Sequence, residues 1–247
     1  MKFMANFKCN HTPSSAYCYV REFEAYNLFK NVDSKTFWQQ NEVVVFPPFV
    51  ALQSASDNAK RIKIGAQNAY PAKNGAYSGE IGAQMLESMG IKTLLIGHSE
   101  RRNILGESQV FCAKKVRYFL ENGYEVVYCI GENLHTRKKG KQALEAFLYS
   151  QFSGLESILD SSLESKFCVA YEPIWAIGTG VSADKKDIES VHNFLRSITK
   201  APLLYGGSVN ANNAKAISKI PNVDGVLVGS AALSPSGLKD IIEACIS

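Results

Sequence analysis

Short apolar runs alternate along the chain with longer segments in which apolar residues recur at helical spacing. We predict eight strands, at Lys2–Lys8, Val43–Pro47, Ile62–Gln67, Thr93–Gly97, Glu125–Gly131, Phe167–Glu172, Leu203–Gly206 and Gly225–Gly229. Two of the segments between them, Phe111–Asn122 and Asp187–Ser197, are typical of amphipathic helices. Dividing 247 residues by eight strands gives about 31 residues per unit, which is close to one strand plus one helix.

This alternation predicts an α/β fold with a parallel sheet that is covered on both faces. Such a sheet either stays open and doubly wound or closes into a (β/α)8 barrel, and the count of eight strands favours the barrel. No linker, low-complexity segment or block of charge divides the chain, so we expect a single domain over residues 1–247. In a barrel, functional side chains come from the loops at the carboxyl ends of the strands.

The composition is that of a globular protein, with 46% hydrophobic and 20% charged residues, which excludes a disordered chain. The net charge of +4 is too small to indicate nucleic acid or a membrane as a partner. The first apolar run breaks at Asn6, too early for a signal peptide. The six cysteines are irregularly spaced and lack a C-x-x-C pair, so we expect reduced thiols in a cytoplasmic protein.

Polar side chains stand at the ends of several predicted strands. Lys8 can stabilise an anion, Glu172 can remove a proton from carbon, and a neutral His98 can polarise a carbonyl. Glycine-rich turns at Gly206–Ser208 and Gly229–Ser230 offer backbone N–H groups to a phosphate. Each residue alone has an ordinary structural explanation, such as a cap or a surface ion pair. Their joint placement predicts proton abstraction beside a carbonyl on a small phosphorylated substrate.

One segment fits the dinucleotide-binding pattern G-x-G-x-x-A, at Gly178, Gly180 and Ala183. The acidic residue expected about 20 positions later is missing, and Pro173–Ile177 separates the strand from the glycines. The sequence also lacks H-E-x-x-H and any clustered Cys and His set. We therefore expect neither a cofactor nor a catalytic metal.

Several segments resemble, in order along the chain, the motifs of the triosephosphate isomerase family. They are Asn6–Asn10, Gly65–Asn68, Ile96–Arg102, Cys129–Glu132, Ala170–Gly180 and Tyr205–Val209. The run YEPIWAIGTG at Tyr171–Gly180 is highly specific, and the resemblance extends nearly from end to end. It implies a (β/α)8 TIM barrel and an aldose–ketose isomerase of glycolysis and gluconeogenesis. Such an enzyme interconverts D-glyceraldehyde 3-phosphate and dihydroxyacetone phosphate through an enediolate.

The resemblance also implies roles for individual side chains. Glu172 would be the base that moves a proton between two substrate carbons, and His98 a neutral electrophile at the substrate oxygens. A helix that begins just after His98 would lower the pKa of its imidazole. Lys8 would stabilise the negative charges of the substrate, Asn6 would help to position it, and Glu100 would pair with Lys8.

Further implied features concern the phosphate, a lid and a partner subunit. The implied phosphate-binding residues are Gly178, Ser208, Gly229 and Ser230. Residues 173–183 would form a lid that closes over the substrate, and residues 69–80 would reach into a second subunit of a homodimer. The chain departs from the family pattern at Ser230, where a second glycine is usual, at Val181 in the second lid hinge, and at His11, where glycine is frequent.

Three other interpretations stay open from the sequence. The chain could be a different phosphosugar enzyme built on a barrel, with other acid–base groups. It could be an NAD-linked oxidoreductase, although the missing acidic residue argues against this. It could also be a catalytically altered barrel that binds a phosphosugar without converting it, although the presence of Lys8, His98 and Glu172 together disfavours this.

Overall fold

A closed barrel of eight parallel strands forms the centre of the computed structural model, which describes residues 1–26, 34–177 and 183–247. The strands are β1 (Lys2–Asn6), β2 (Glu42–Phe46), β3 (Lys63–Ala66), β4 (Thr93–Ile96), β5 (Glu125–Ile130), β6 (Phe167–Tyr171), β7 (Leu203–Tyr205) and β8 (Gly225–Val228). Each strand pairs with the next one along the chain, and β8 pairs with β1 to close the barrel. The predicted (β/α)8 TIM barrel is confirmed, and the open sheet is wrong.

Helices follow the strands and pack against the outer surface of the barrel. They are α1 (Pro13–Ala25), α2 (Ser34–Gln40), α3 (Leu52–Ser56), α4 (Ala83–Ser88), α5 (Ser99–Asn103), α6 (Gln109–Glu121), α7 (Leu134–Lys138), α8 (Lys141–Ser150), α9 (Lys185–Ile198), α10 (Ala211–Ser218) and α11 (Pro235–Ile246). The two predicted helices are confirmed as α6 and α9, each of which begins two residues earlier than predicted. Side-chain caps set these starts, because Ser108 and Asp184 accept hydrogen bonds from the first turns.

Side chains of the strands lie in two apolar layers, one against the helices and one inside the barrel. Both faces of the sheet are therefore buried, which explains why the strand sequences are continuous apolar runs. In β1, Phe3 and Ala5 face the helices, whereas Met4 faces the interior of the barrel. The interior layer consists of Met4, Val44, Phe46, Leu95, Val127, Cys129, Cys168, Ala170, Leu204 and Leu227. This filled interior means that the barrel is a packed core rather than a pore. The expectation of one domain over residues 1–247 stays a prediction.

The strands end earlier at their carboxyl ends than we predicted, by two residues in β1 and by one in the others. In β1, the Asn6 Oδ1 atom accepts a hydrogen bond from the Lys8 backbone N–H at 2.9 Å, and Lys8 has a positive φ of 52°. At the end of β4, Gly97 has a φ of 76°, which favours glycine. These turns leave the ladder and redirect the following side chains toward one mouth of the barrel.

Replacing Gly225 by alanine tests how tightly the barrel is closed. A Cβ there would lie 2.1 Å from the Lys2 carbonyl oxygen and 2.7 Å from Leu204 Cδ2. We expect Gly225→Ala to lower the free energy of unfolding by about 1–3 kcal/mol, because overpacking displaces the neighbouring strands. Urea denaturation followed by circular dichroism measures this change.

The matched control is Gly106→Ala, because no atom lies within 4 Å of the methyl group that would be added at Gly106. Gly106 has a positive φ, so we expect this variant to lose only the backbone preference of glycine, about 1–2 kcal/mol. A smaller loss in Gly225→Ala than in Gly106→Ala would contradict the tight packing of β8 between β1 and β7.

Candidate active site

A cleft of about 380 Å³ opens where the carboxyl ends of the strands meet. Its lining includes the predicted catalytic residues Asn6, Lys8, His98 and Glu172 and the predicted phosphate-binding residues Ser208, Gly229 and Ser230. The lining does not include Glu100, and Gly178 lies outside the described residues. The barrel therefore brings together side chains that are far apart in the sequence, although their catalytic roles stay predictions.

Glu172 and His98 form the buried centre of this cleft. The carboxylate follows β6, and its Oε1 atom lies 2.9 Å from His98 Nε2. Its Oε2 atom accepts a hydrogen bond from the Ser99 backbone N–H at 2.9 Å. Both side chains are almost completely excluded from solvent. Each oxygen of the carboxylate is thus already bound, and the pair stabilises a specific orientation of the imidazole.

The position of His98 at the start of α5 determines which of its nitrogen atoms carries the hydrogen. His98 is the N-cap of the helix, and its Nδ1 atom accepts a hydrogen bond from the Glu100 backbone N–H at 3.3 Å. In the neutral ring the hydrogen must then be on Nε2, from which it is donated to Glu172. The local helix start therefore presents an N–H group to the cleft.

The pKa of His98 differs from the sequence expectation. Burial lowers the pKa, but attraction to the Glu172 carboxylate, their hydrogen bond and attraction to Glu100 together raise it above its usual value. The predicted lowering is therefore wrong for the arrangement in which Glu172 contacts the ring. The sequence indicated the helix start correctly, but it did not indicate the carboxylate contact.

Lys8 reaches the cleft from the turn after β1. Its Nζ atom lies 2.6 Å from Glu100 Oε1, which confirms the predicted pairing. The Gln67 side chain donates hydrogen bonds to the carbonyl oxygens of Lys8 at 2.8 Å and Phe46 at 2.9 Å. Gln67 thereby holds the turn that carries the lysine, a role that we did not predict, although the residue stands in one of the resembling segments.

The predicted phosphate-binding residues lie at the ends of β7 and β8. The Ser208 hydroxyl donates a hydrogen bond to the Ala176 carbonyl oxygen at 2.8 Å, so it connects this turn to the start of the predicted lid. Ser230 begins a single 3-10 turn that extends to Ala232. Ser230 is not one of the described non-glycine residues with positive φ, so its Cβ is accommodated without strain.

A buried carboxylate beneath the predicted lid was missed by the sequence analysis. The Glu132 Oε1 atom accepts hydrogen bonds from Tyr171 Oη at 3.0 Å and Trp175 Nε1 at 2.9 Å. Burial raises the pKa of Glu132, although the two donors oppose this effect. Glu132 stands two residues after β5, and Glu172 directly follows β6; a carboxylate just beyond a strand end is the signal that could have identified Glu132. Of the predicted lid, residues 178–182, including Val181, lie outside the described residues.

Among residues 1–26, 34–177 and 183–247, no group of His, Cys, Asp or Glu side chains could hold a metal ion. In the same ranges, no helix is long and apolar enough to cross a lipid bilayer.

The fold and the cleft define a (β/α)8-barrel protein with a contacting carboxylate and imidazole and a lysine at the carboxyl ends of its strands. The chain belongs to the triosephosphate isomerase family, whose model matches residues 1–245. It is similar to the triosephosphate isomerase of a Sulfurovum species, with 50% identity over 99% of this chain and 100% of that protein.

Two other relatives lead to the same family. The chain is 46% identical to the triosephosphate isomerase of Helicobacter hepaticus, over 97% of each chain. It is 44% identical to that of a Nitratiruptor species, over 98% of this chain and 97% of the relative. These alignments cover almost all of each protein.

Titration of His98 tests the contact with Glu172. We expect its pKa to lie above 6.5 in the native protein and to fall in Glu172→Gln. The substitution removes the carboxylate charge that raises the pKa, whereas the burial that lowers it remains. The raised pKa adds stability below pH 6.5 that is lost as the pH rises through the folded value. Imidazole chemical shifts, measured by NMR between about pH 5 and 9, report this titration. A pKa that is the same in both proteins would contradict the coupling.

Proposed function

We propose that this protein is a triosephosphate isomerase, which interconverts D-glyceraldehyde 3-phosphate and dihydroxyacetone phosphate. The observation that supports this most directly is the contact of Glu172 with His98 in a cleft that Lys8 also lines. A carboxylate can remove a proton from carbon, and an imidazole N–H beside it can stabilise the oxygen that becomes negative. One bound substrate could thus lose a proton from carbon to Glu172 and have its oxygen stabilised by His98, as an enediolate mechanism requires.

The reaction moves protons and leaves the carbon skeleton unchanged. Glu172 removes the C2 proton of the aldehyde, and the electron pair of the broken C–H bond shifts toward the carbonyl oxygen to give the enediolate. His98 Nε2 donates a hydrogen bond to the substrate oxygens and transfers a proton between them. Glu172 then returns its proton to C1, which yields the ketone. The substrate enters by displacing the contact between the carboxylate and the ring, since Nε2 and Oε1 are 2.9 Å apart.

The charges around the cleft suit an anionic substrate. Lys8 places its ammonium group beside the enediolate and the phosphate, and the Glu100 carboxylate at 2.6 Å holds that group in position. Asn6 lines the same cleft, and its Oδ1 atom fixes the turn that carries Lys8. We propose that Asn6 orients the substrate through its amide group, while Lys8 supplies most of the electrostatic stabilisation.

Backbone amides complete the proposed phosphate site. Ser208, in the turn after β7, and Gly229 and Ser230, in the turn after β8, line the same cleft as Glu172. Gly178 contributes a further N–H group when the lid, residues 173–183, closes and excludes water. Such exclusion protects an enediolate from losing its phosphate. The hydrogen bond between Ser208 and Ala176 supports a link between the phosphate site and the lid.

We also propose a homodimer that is formed through residues 69–80. Within this segment the ring centroids of Tyr70 and Tyr77 lie 4.1 Å apart. The Ala72 carbonyl oxygen accepts a hydrogen bond from the Ala83 backbone N–H, at the start of α4. The segment is therefore an ordered loop with residues 73–80 exposed, and Tyr77 among them is 44% exposed. An ordered loop with an exposed aromatic ring is suited to insertion into a second subunit.

The cellular setting follows from this reaction. We propose that the protein acts in the cytoplasm, in glycolysis and gluconeogenesis, where both triose phosphates are interconverted. The chemistry involves neither net oxidation nor a leaving group, so side chains and backbone amides of this chain are sufficient for it. We therefore propose an enzyme without a cofactor.

Glu172→Gln tests the proposed base. We expect kcat to fall by about 10²–10⁴-fold or more, because an amide cannot accept the carbon-bound proton. Direct observation of dihydroxyacetone phosphate formation from glyceraldehyde 3-phosphate by proton NMR, without added metal or nucleotide, measures turnover. The matched control is Glu121→Gln on the exposed end of α6, for which we expect wild-type turnover.

Three outcomes separate the interpretations. Rapid wild-type turnover that is lost in Glu172→Gln supports both the reaction and the base. Rapid turnover that persists in Glu172→Gln would remove Glu172 from its role. A folded wild-type protein that binds triose phosphate without turnover would instead support the catalytically altered barrel.

Tyr77→Asp tests the proposed subunit contact. We expect this variant to dissociate at protein concentrations at which the wild type sediments as a dimer, because a carboxylate is poorly accommodated in a buried interface. The control is Tyr149→Asp, since Tyr149 is 60% exposed on α8, outside residues 69–80. A fully active wild-type monomer in sedimentation and assay at the same concentration would contradict the proposal.

A further inference from the structure

His11 links the turn after β1 to the turn after β8. Its Nε2 atom lies 3.1 Å from the Leu233 carbonyl oxygen, and its Nδ1 atom lies 3.1 Å from Ser15 Oγ. A carbonyl oxygen can only accept, so Nε2 carries the hydrogen that is donated to Leu233, while Nδ1 makes a polar contact with the serine hydroxyl. The two bonds fix the ring between the start of α1 and the end of the β8 turn.

Tyr19 of α1 makes a second, parallel link. Its hydroxyl group donates a hydrogen bond to the Ala232 carbonyl oxygen at 2.9 Å, and this contact is buried. The rings of Tyr19 and His11 pack edge to face with centroids 5.7 Å apart, and both contact the ring of Phe7. Two adjacent carbonyl groups of the β8 turn are thus held by two adjacent rings.

The turn that they hold is the one that carries the proposed phosphate site. We call residues 229–233 the phosphate turn. Within it, the N–H groups of Ala232 and Leu233 donate to the carbonyl oxygens of Gly229 at 2.9 Å and Ser230 at 3.2 Å. These two bonds join the start and the end of the turn in one short hydrogen-bonded unit.

The phosphate turn also lies close to the lysine. A Cβ atom at Gly229 would lie 3.5 Å from Lys8 Cε, so the two turns are in close contact at the cleft. His11 stands three residues after Lys8 on the same connection. One connection therefore carries both the cation and the side chain that orients the facing turn.

The backbone of His11 supports a specific role for its side chain. Its φ is 75°, a region that a bulky residue rarely occupies and that glycine adopts readily. A structural requirement for the turn alone would be met better by glycine. The ring is retained in an unfavourable backbone conformation where it makes both of its hydrogen bonds.

We propose that His11 and Tyr19 are positioning residues that hold the phosphate turn against Lys8 and so determine the affinity for the phosphate group. This inference rests on the proposed function. Neither side chain lines the cleft, so both act through the backbone of the turn. The amide groups of a turn bind phosphate well only when their directions are fixed before the ligand arrives.

The test compares His11→Gly, His11→Gln and Tyr19→Phe with the wild type. Glycine removes the link and relieves the backbone, whereas glutamine keeps an N–H group that reaches as far as Nε2. We expect His11→Gly and Tyr19→Phe to raise KM and the inhibition constant of inorganic phosphate about 3- to 10-fold each, the equivalent of one hydrogen bond. We expect kcat to change less than about 2-fold, because the bond acts equally in the ground and transition states.

Rescue and stability measurements separate positioning from a merely structural role. We expect His11→Gln to recover most of the phosphate affinity. Melting temperatures and sedimentation of each variant report folding and assembly. An unchanged KM and unchanged phosphate inhibition in both His11→Gly and Tyr19→Phe would overturn the inference, even if the melting temperature fell. An equal loss in His11→Gln and His11→Gly would overturn the role of the Nε2 hydrogen bond.

Failure of the proposed function is recognised separately, as absent turnover in the wild type. The inference is then tested by the rise in melting temperature that inorganic phosphate produces. A rise in the wild type that is smaller in His11→Gly supports the positioning role without isomerase activity. Equal rises, or no rise in the wild type, would overturn it.

Discussion

Closure of the parallel sheet is the constraint on which the rest of the molecule depends. Because β8 pairs with β1, the carboxyl ends of all eight strands meet around one opening. Lys8 and Glu172 are 164 positions apart in the sequence, with His98 between them, yet all three line one cleft. The interior layer of apolar side chains fills the barrel, so the cleft lies at the carboxyl ends of the strands and does not continue as a pore.

Side chains replace ladder hydrogen bonds at the places where the strands stop. Asn6 binds the backbone of Lys8, Gln67 binds its carbonyl oxygen, and His98 caps α5. Each of these polar groups satisfies the backbone at a strand end and also fixes a side chain at the opening. The chemistry of the rim and the stability of the turns therefore depend on the same residues.

The sequence predicts most of this architecture because strand and helix periods are local properties of the chain. All eight strands and the pairing of Lys8 with Glu100 are confirmed. The predicted direction of the His98 pKa shift was wrong. The shift depends on the burial of the ring and on the carboxylate of Glu172, which is 74 positions away in the sequence. Glu132 was missed for a similar reason, because its donors become neighbours only after β5 and β6 pair.

The bond between Trp175 and Glu132 has a spectroscopic consequence. The protein has two tryptophans, and Trp38 lies on α2, away from the cleft lining. The Trp175 indole N–H is bound to a carboxylate, and the Arg137 guanidinium lies 5.4 Å from the ring. The wavelength of indole fluorescence depends on such neighbouring charges, so displacement of Trp175 from Glu132 and Arg137 shifts the emission maximum. The enzyme therefore contains an intrinsic fluorophore in the turn after β6, and movement of Trp175 relative to Glu132 can be followed without any attached dye.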